Sequence, residues 1–355
     1  METPSEKGSI CLGRGSFSEV FLIKQGSGDS LIARKIFKQD KINSKYIHRE
    51  FDNLRKLKDS YGFIKMISSE DDMSKLDMDF LPGGTLSGLI KTTKNNISID
   101  GFDTTQELIL AYGIAYLMSK LHEKNMIHRD LKPGNVMLDH NLYSYIGDFN
   151  LSREHESDAN RKLTRCGTAN YLPPEMVQHQ PSFTSKSDVF MYGMTLYEMV
   201  ELKPPYDNLS SEAIAHRIYN HLLPALTEKH LLNDIIVKCW AFDPINRPTM
   251  MEIASEIAAI AHQNNEIDTQ RFDAYVQLLK DESKGNANIT CGSLANLYEA
   301  AKKGIPFSIY ILQQLRVSDM ADDKEKQNIQ RILDHCNDDA TCEDEEEDEE
   351  EEITI

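Results

Sequence analysis

The 355-residue chain lacks the features that mark several large classes of protein. Its six cysteines are scattered, with no Cys-x-x-Cys pair and no histidines clustered beside them, which argues against a zinc site or a disulfide framework. No apolar run reaches about 18 residues, the length of a membrane-spanning helix, and residues 1–8 contain no apolar core of a signal peptide. Free thiols suit a reducing compartment, so we expect a protein of the cytoplasm, with the nucleus as the alternative.

The chain also lacks the excess of basic residues that nucleic-acid-binding proteins carry. It has 39 Lys and Arg against 57 Asp and Glu, a formal net charge of −18. Residues 343–352 are unbroken Glu and Asp and contribute −10, which leaves −8 for the rest. Such a run cannot bury apolar surface, so residues 341–355 are expected to be a disordered acidic tail. This tail either only solvates the chain end or binds a basic partner or the protein's own basic surface.

The remaining sequence divides into a strand-rich part and a helix-rich part. Residues 20–23 and 31–33 are short β-type runs separated by a turn at 26–29, and apolar residues recur at helical spacing over 47–57. A Pro-Gly-Gly string at 82–84 follows. After it, the clearest helical patterns cover residues 107–124, 187–201 and 211–219. We therefore expect an α+β fold with two lobes, a hinge near 79–84 and a ligand cleft between the lobes.

Beyond residue 263 the sequence changes character. Residues 272–279 and 294–315 have the patterns of short helices. Residues 297–304 faintly resemble one unit of a helical repeat, but a single unit is not an array.

Residues 13–20, Gly-Arg-Gly-Ser-Phe-Ser-Glu-Val, form a glycine-rich string followed by a strand pattern. A dinucleotide-binding loop would open a helix, so the strand favours a hairpin that lies over phosphate groups. Two glycines allow the backbone to come close to the anions. The alternative is an ordinary turn.

Lys35 and Glu50 form a candidate ion pair. Glu50 lies on the same helical face as the leucines four and seven residues later, so it points inward and needs a cation, which Lys35 can supply. The pair would hold the lysine over nucleotide phosphates. The alternative is an exposed Glu50, with Arg49 and Glu19 in other pairings.

Two further strings carry a family resemblance. His-Arg-Asp-Leu-Lys-Pro-Gly-Asn at 128–135 and Ile-Gly-Asp-Phe-Asn at 146–150 resemble the catalytic loop and the metal-binding motif of the protein kinase superfamily. Residues 167–175, 186–193 and 239–249 are similar to later segments of the same family. The resemblance covers nearly all of residues 8–261.

The resemblance implies a bilobal protein kinase fold. A β-rich N-lobe with one key helix would occupy residues 8–78 and an α-helical C-lobe residues 85–261, joined by the hinge at 79–84. A helical extension of unknown role would follow over 262–340, before the acidic tail.

The resemblance also implies a role for each residue of the site. Asp130 would accept or orient the proton of a substrate hydroxyl, and Lys132 would steady the γ-phosphate of ATP. Asn135 and Asp148 would hold Mg²⁺, and Thr168 would support Asp130 and Lys132. The implied ATP-binding residues are Leu12, Gly13, Gly15, Ser16, Phe17, Val20, Ala33, Lys35, Met78, Asp79, Leu81, Asn135, Leu138 and Asp148.

Other positions of the resemblance have structural or regulatory roles. His128 is expected to pack beneath its loop, and Arg129 to receive a phosphate of the activation segment. Glu175 and Arg247 are expected to make a buried ion pair. Thr164 lies four residues before Thr168, at the spacing of an activating phosphosite that an upstream kinase would modify; the alternative is an exposed loop threonine.

The type of residue that would be phosphorylated is indicated by the resemblance of further strings to subgroups of the family. Lys132 and the Gly-Thr at 167–168 resemble serine/threonine kinases, whereas Cys239-Trp240 and the hinge string at 78–86 resemble tyrosine kinases. We therefore expect a serine/threonine kinase of the tyrosine-kinase-like group, with dual specificity as an open alternative. Gly134 stands where many arginine-directed kinases carry Glu, so a basic consensus in the protein substrate is not indicated.

Three positions depart from the family pattern. Asn150 replaces the glycine of Asp-Phe-Gly, Ser18 replaces the third glycine of the glycine-rich string, and Pro173 replaces the alanine of Ala-Pro-Glu. If position 150 needs a left-handed backbone, Asn tolerates it better than most residues. Asn150 is the reason to keep a second hypothesis, a pseudokinase scaffold that binds nucleotide or partners without transfer.

Overall fold

The computed structural model describes residues 9–15, 18–26, 28–38, 45–154, 168–177, 183–227, 229–282 and 292–342. The predicted residues Ser16, Phe17, Thr164 and Gly167 and the acidic run 343–352 lie outside these ranges.

A five-stranded antiparallel sheet forms the first lobe, in the order β1-β2-β3-β5-β4. Its strands are β1 Ile10–Arg14, β2 Ser18–Lys24, β3 Leu31–Phe37, β4 Met66–Ser69 and β5 Lys75–Asp79. Within the register, Lys35 on β3 lies between Val20 on β2 and Leu76 on β5. This register fixes which of the alternating side chains of β3 face the cleft.

The helix of this lobe, α1, spans Lys45–Leu57. Ile47, Phe51, Leu54 and Leu57 recur at helical spacing and are all buried, which makes this face the one that packs under the sheet. Glu50 is buried on the same side of the helix.

The second lobe is mainly helical. Its helices are α2 Leu86–Lys94, α3 Thr104–Glu123, α4 Pro174–Val177, α5 Ser185–Glu201, α6 Ser211–Tyr219, α7 Asn233–Cys239 and α8 Met250–Gln263. The α3 helix begins earlier than the sequence predicts because Asp103 caps it, accepting a hydrogen bond from the Gln106 N–H at 2.8 Å. Thr184 and Ser187 form a capping box at the start of α5.

Short strands lie next to the cleft in this lobe. They are β6 Gly84–Thr85, β7 Met126–Ile127, β8 Val136–Leu138, β9 Ser144–Ile146 and β10 Arg153–Glu154. β8 pairs with β6 and β9, and β7 pairs with β10. The loops between them carry residues 128–135 and 147–152, so the sheets hold both predicted motifs at the cleft. The expected α+β architecture, with a strand-rich lobe followed by a helical one, is confirmed.

Four helices follow the second lobe. They are α9 Thr269–Glu282, α10 Leu294–Lys302, α11 Pro306–Val317 and α12 Asp323–Cys342. The α9 helix packs on α3 through Phe272 and Tyr275, which are fully buried. Helices α10 to α12 instead share a core with the first lobe. Within the described ranges, no helix has both the length and the apolar character needed to cross a membrane.

Asp139, in the turn between β8 and β9, is expected to make the stability of the fold depend on pH. Burial is the main cause that raises the pKa of Asp139 to about 6, against the hydrogen bonds its Oδ1 accepts from Asn141 N and Tyr143 N at 2.8 and 2.9 Å. An unfolded Asp titrates near pH ~3.9. Asp139 therefore stays protonated to a higher pH in the folded state than in the unfolded state. The stability that this difference contributes is fully present below pH ~4 and is lost as the pH rises through about 6.

The corresponding variant is Asp139→Asn, which cannot ionise. We expect wild type to lose about 1 kcal/mol more than the variant between pH ~5.5 and ~7.5, because an upward shift of about two pKa units amounts to about 3 kcal/mol in all. Urea unfolding of both proteins across this range measures the difference. A difference that does not change with pH would contradict the prediction.

Candidate active site

A cavity of about 670 Å³ lies between the lobes at the hinge. Seven of the residues predicted to bind ATP line it: Leu12, Gly13, Val20, Ala33, Met78, Asp79 and Leu81. Apolar side chains from five strands, β1, β2, β3, β5 and β8, line it together with residues of the hinge. The cavity thus has the shape and composition typical of a site for a small aromatic ligand.

Leu138 is a correction to the predicted set. Its side chain is fully buried in the core of the second lobe, whereas Met137, one residue earlier, lines the cavity. Side chains alternate between the two faces of a strand, so on β8 only one of these two neighbours can face the cleft.

The glycine-rich string forms the hairpin between β1 and β2. Gly13 is opposite Val20 and Arg14 is opposite Glu19. The Gly15 N–H donates to the Ser18 carbonyl at 2.8 Å, which closes the described part of the turn. Gly15 and Ser18 also line a smaller cavity of about 140 Å³ with Lys35 and Asp148. The strand that follows the glycines fits the predicted phosphate hairpin.

Lys35 and Glu50 come together as predicted. The Lys35 ammonium lies 2.5 Å from Glu50 Oε1 and 3.8 Å from Asp148 Oδ1. Burial alone would lower the pKa of Lys35, but the carboxylates of Glu50 and Asp148 outweigh it and raise that pKa. Lys35 therefore keeps its positive charge at the end of the cleft where the smaller cavity lies. Glu19, which the sequence offered as another partner in ion pairs, has its Oε1 3.5 Å from Arg14 Nε.

The loop 128–135 brings four predicted residues into one hydrogen-bond network around Asp130. The Lys132 ammonium donates to Asp130 Oδ2 at 2.7 Å and to Thr168 Oγ1 at 2.8 Å. The Thr168 N–H donates to Asp130 Oδ1 at 3.1 Å. The Asn135 amide donates to the Asp130 backbone carbonyl at 2.7 Å and to Oδ2 at 3.1 Å. These contacts hold the carboxylate and the ammonium in fixed positions.

Asn135 and Asp148 have the chemistry of a magnesium site. The Gly147 N–H donates to the Asn135 carbonyl at 3.0 Å, so the two segments lie side by side. Asp148 Oδ1 is buried and accepts no hydrogen bond within the described part of the chain, although Lys35 faces it. The Asn135 NH₂ is used by Asp130, which leaves its amide oxygen as a ligand. Oxygen ligands of this kind, completed by phosphate oxygens and water, suit Mg²⁺.

The Asp-Phe-Asn segment has an ordered backbone. Phe149 is fully buried between His128 and Phe63, and His128 Nε2 lies 3.0 Å from the Gly147 carbonyl, so His128 packs beneath the loop. Asp148 has a φ of 60°, whereas Asn150 does not lie in the left-handed region. Asn150 therefore replaces the expected glycine without backbone strain in this conformation.

Asp188 is a residue of the site whose role the sequence did not reveal. Its fully buried carboxylate accepts the N–H groups of His128 and Arg129, both at 2.8 Å, and lies 2.8 Å from His122 Nε2. It thereby anchors the backbone just before Asp130. Asp188 lies in the first turn of α5, directly before the apolar stretch that begins at Val189, and this position was the available signal, because a buried carboxylate needs partners.

Asn53 was also missed. It lies three residues after Glu50 on the buried face of α1, and its amide donates to the carbonyls of Phe149 at 2.9 Å and Ser152 at 3.0 Å. These bonds join α1 to the segment that carries Asp148. A polar residue on an otherwise apolar helix face was the available signal.

Replacing Asn53 by alanine is expected to lower the free energy of unfolding by about 1–3 kcal/mol, because two buried carbonyls lose their donor. Urea unfolding measures the change. Asp52→Ala, on the exposed face of the same helix, is the matched control; equal losses in both variants would contradict the role of Asn53.

Comparisons with known proteins agree with this geometry. The protein kinase domain family matches residues 8–257. The probable serine/threonine-protein kinase kinX of Dictyostelium discoideum is 31% identical over 258 residues, which are 70% of this chain and 23% of that protein. The cell cycle serine/threonine-protein kinase CDC5/MSD2 of Saccharomyces cerevisiae is 31% identical over 257 residues, 68% of this chain and 35% of that protein.

A dual specificity protein kinase, shkB of Dictyostelium discoideum, is 26% identical over 257 residues, 69% of this chain and 38% of that protein. The chain spans less than half the length of these three relatives. The likeness is therefore one of kinase domains. With the family matched over residues 8–257 and the Lys35–Glu50 and Asp130–Lys132 pairs in place, the chain belongs to the protein kinase family.

Proposed function

We propose that this chain transfers the γ-phosphoryl group of ATP, with Mg²⁺, to serine and threonine hydroxyls of proteins. The observation that carries the proposal is the Lys132 ammonium, which bridges Asp130 at 2.7 Å and Thr168 at 2.8 Å. A carboxylate beside an ammonium can orient a hydroxyl group and balance charge on the phosphoryl oxygens.

Each residue then has one task. Asp130 orients the acceptor hydroxyl and takes its proton, while Lys132 neutralises charge on the γ-phosphate. Lys35, held by Glu50, binds the phosphates of ATP on the side of the γ-phosphoryl group that lies away from the acceptor hydroxyl. Bound Mg²⁺, on Asn135 and Asp148, supplies neutralisation of the phosphate charge.

Serine/threonine specificity is supported by Lys132 and Thr168 and by relatives that bear that name. The dual-specificity relative keeps tyrosine as an outcome to measure. We further propose that the chain belongs to the tyrosine-kinase-like group and acts in the cytoplasm, with the nucleus as the alternative. Support for the group is the Cys239-Trp240 string, which packs against Gly193 of α5. Support for the compartment is the pattern of scattered thiols.

Phosphate transfer from radiolabelled ATP to generic proteins, followed by phosphoamino-acid analysis, tests the proposal. Wild type with Mg²⁺ should produce phosphoserine and phosphothreonine, and both chelation of the metal and Asp148→Asn should abolish them. Phosphotyrosine in addition would show dual specificity. ATP binding without transfer would favour either the scaffold hypothesis or an enzyme that is not activated, and repeating the assay with phosphate installed at Thr164 would separate these two.

Activation through Thr164 is the regulatory part of the proposal. We infer that an upstream kinase phosphorylates Thr164 and that the phosphate pairs with Arg129. The Arg129 guanidinium lies 4.4 Å from the centre of the Phe183 ring, two residues before α5 begins. Phosphatase treatment should lower the activity of wild type and leave Thr164→Ala unchanged. Equal activity of Thr164→Ala and untreated wild type would rule out this regulation.

A further inference from the structure

Residues 292–342 form a strap that lies outside the matched kinase domain and packs against it. The strap consists of α10, α11 and α12 with the residues that connect them. Its first contact is with the first residue of β3, where the Leu31 N–H donates to the Gly292 carbonyl at 2.7 Å. A Cβ on Gly292 would lie 1.9 Å from the Leu31 carbonyl oxygen, so this approach requires glycine. Lys24 on β2 pairs with Glu325 on α12.

The second contact of the strap is with the hinge. Ser308, fully buried on α11, donates its hydroxyl to the Pro82 carbonyl at 2.5 Å. The ring of Phe307 packs against Phe80, with centroids 6.3 Å apart. Phe307 also covers Gly84, where a Cβ would come within 2.8 Å of the ring. The hinge backbone is thus held from outside by one turn of α11.

The third contact is with the second lobe. Lys303 donates from its ammonium to the His140 carbonyl at 3.0 Å and to Asn141 Oδ1 at 2.9 Å. The Asp100 N–H donates to the Lys303 carbonyl at 2.9 Å. The strap therefore touches both lobes and the hinge between them.

The strap is part of the core of the first lobe. Ten of its buried apolar residues share this core: Leu294, Leu297, Ala301, Ile311, Leu312, Leu315, Ala321, Ile329, Ile332 and Leu333. They form one cluster with buried residues of β1, β2, β3 and the hinge, among them Leu22, Leu31 and Phe80. A continuous close-packed core of this kind does not slide freely, so the strap has a fixed position relative to the hinge.

The same turn of α11 reaches the nucleotide cavity. Ile305, Pro306, Phe307 and Tyr310 line the cavity together with the residues of the hinge and the glycine-rich hairpin. The Tyr310 side chain is 47% exposed, which leaves it accessible at the mouth of the cavity.

We propose that α11 completes the nucleotide site, with Phe307 and Tyr310 as positioning residues that form its outer wall. The wall covers the ligand from the solvent side and is held in place by the bonds of the strap to the hinge and to both lobes. This inference rests on the proposed function, because it takes the ligand to be ATP.

The test is the affinity of the full chain for Mg-ATP, measured by calorimetry. Tyr310→Ala is expected to raise Kd by about threefold to tenfold, because it removes apolar surface that the bound ligand would cover. Tyr310→Phe should restore the affinity to within about twofold, since the ring is kept. Val317→Ala, at a 72% exposed position of the same helix, is the matched control and should leave Kd unchanged.

A kinetic measurement separates positioning from general damage. Tyr310→Ala should raise KM for ATP while kcat and the melting midpoint stay close to wild type. Phe307→Leu, which keeps an apolar side chain at the hinge, should raise KM in the same direction. An unchanged Kd in Tyr310→Ala, or a Kd that rises equally in Val317→Ala, would overturn the inference while the proposed function stands. Absence of Mg-ATP binding in wild type would overturn both.

Discussion

Replacing Asp130 by asparagine is expected to lower kcat by about 10²- to 10⁴-fold, the usual contribution of a general base. Asparagine keeps the size of the side chain, but its single amide oxygen can accept either the hydrogen bond from Lys132 or the one from the Thr168 N–H, not both. It has neither the negative charge nor the basicity needed to take a proton from the acceptor hydroxyl. The change should therefore act mainly on the chemical step.

The affinity for Mg-ATP distinguishes this role from a structural one. Asp130 holds the loop but does not line the cavity that we assign to the nucleotide, so Kd should stay within about threefold of wild type, less than 1 kcal/mol. Asp71→Asn, in the exposed turn between β4 and β5, is the control for the loss of one negative charge. Wild-type kcat in Asp130→Asn would remove Asp130 from the mechanism.

Replacing Arg247 by methionine is expected to lower the free energy of unfolding by about 3–5 kcal/mol. The Arg247 guanidinium is fully buried and makes two hydrogen bonds to Glu175, at 2.8 and 2.9 Å. It also donates to the carbonyls of Ala241 and Lys186, both at 2.8 Å. Methionine fills much of the space but leaves a buried carboxylate without its cation.

Two further variants make this measurement specific. Arg247→Lys keeps the charge and loses the paired geometry, so its loss of stability should be intermediate. Lys238→Met breaks a half-exposed pair with Glu256 and should cost less than about 1 kcal/mol. Urea unfolding of the four proteins gives the order of stability. Equal losses of unfolding free energy in Arg247→Met and Lys238→Met would contradict the expectation that breaking the buried pair costs more than breaking the half-exposed pair.

Several parts of the site were predictable because their signals are local. The helical period of α1 places Glu50 on the buried face, and a buried carboxylate needs a cation, which leads to Lys35. The glycine-rich string is followed by a strand pattern, which indicates a hairpin, whereas a dinucleotide-binding loop would be followed by a helix. The predicted bounds of α3 and α5 agree with the structure to within a few residues, and the differences come from caps at Asp103 and Thr184.

Other parts were not predictable because they depend on contacts between distant segments. Asp188 reaches the loop before Asp130 from about 60 residues further along the chain, and Asn53 reaches Ser152 from about 100 residues earlier. The choice of Met137 over Leu138 as a cavity residue depends on the register of β8 with its neighbours. If the register of β8 changed by one residue, Leu138 would face the cavity in place of Met137.

The amino-acid sequence by itself determined the protein kinase family and the two-lobed architecture. Those properties follow from residue types at fixed spacings and from periods of two and about 3.6 residues, which are local. Only the tertiary structure decided that Asn150 needs no left-handed backbone and that α10 to α12 pack on the first lobe, with α11 against the hinge. An apolar helix face indicates that a helix is buried, but the surface that covers it is chosen by shape and by partners elsewhere in the chain.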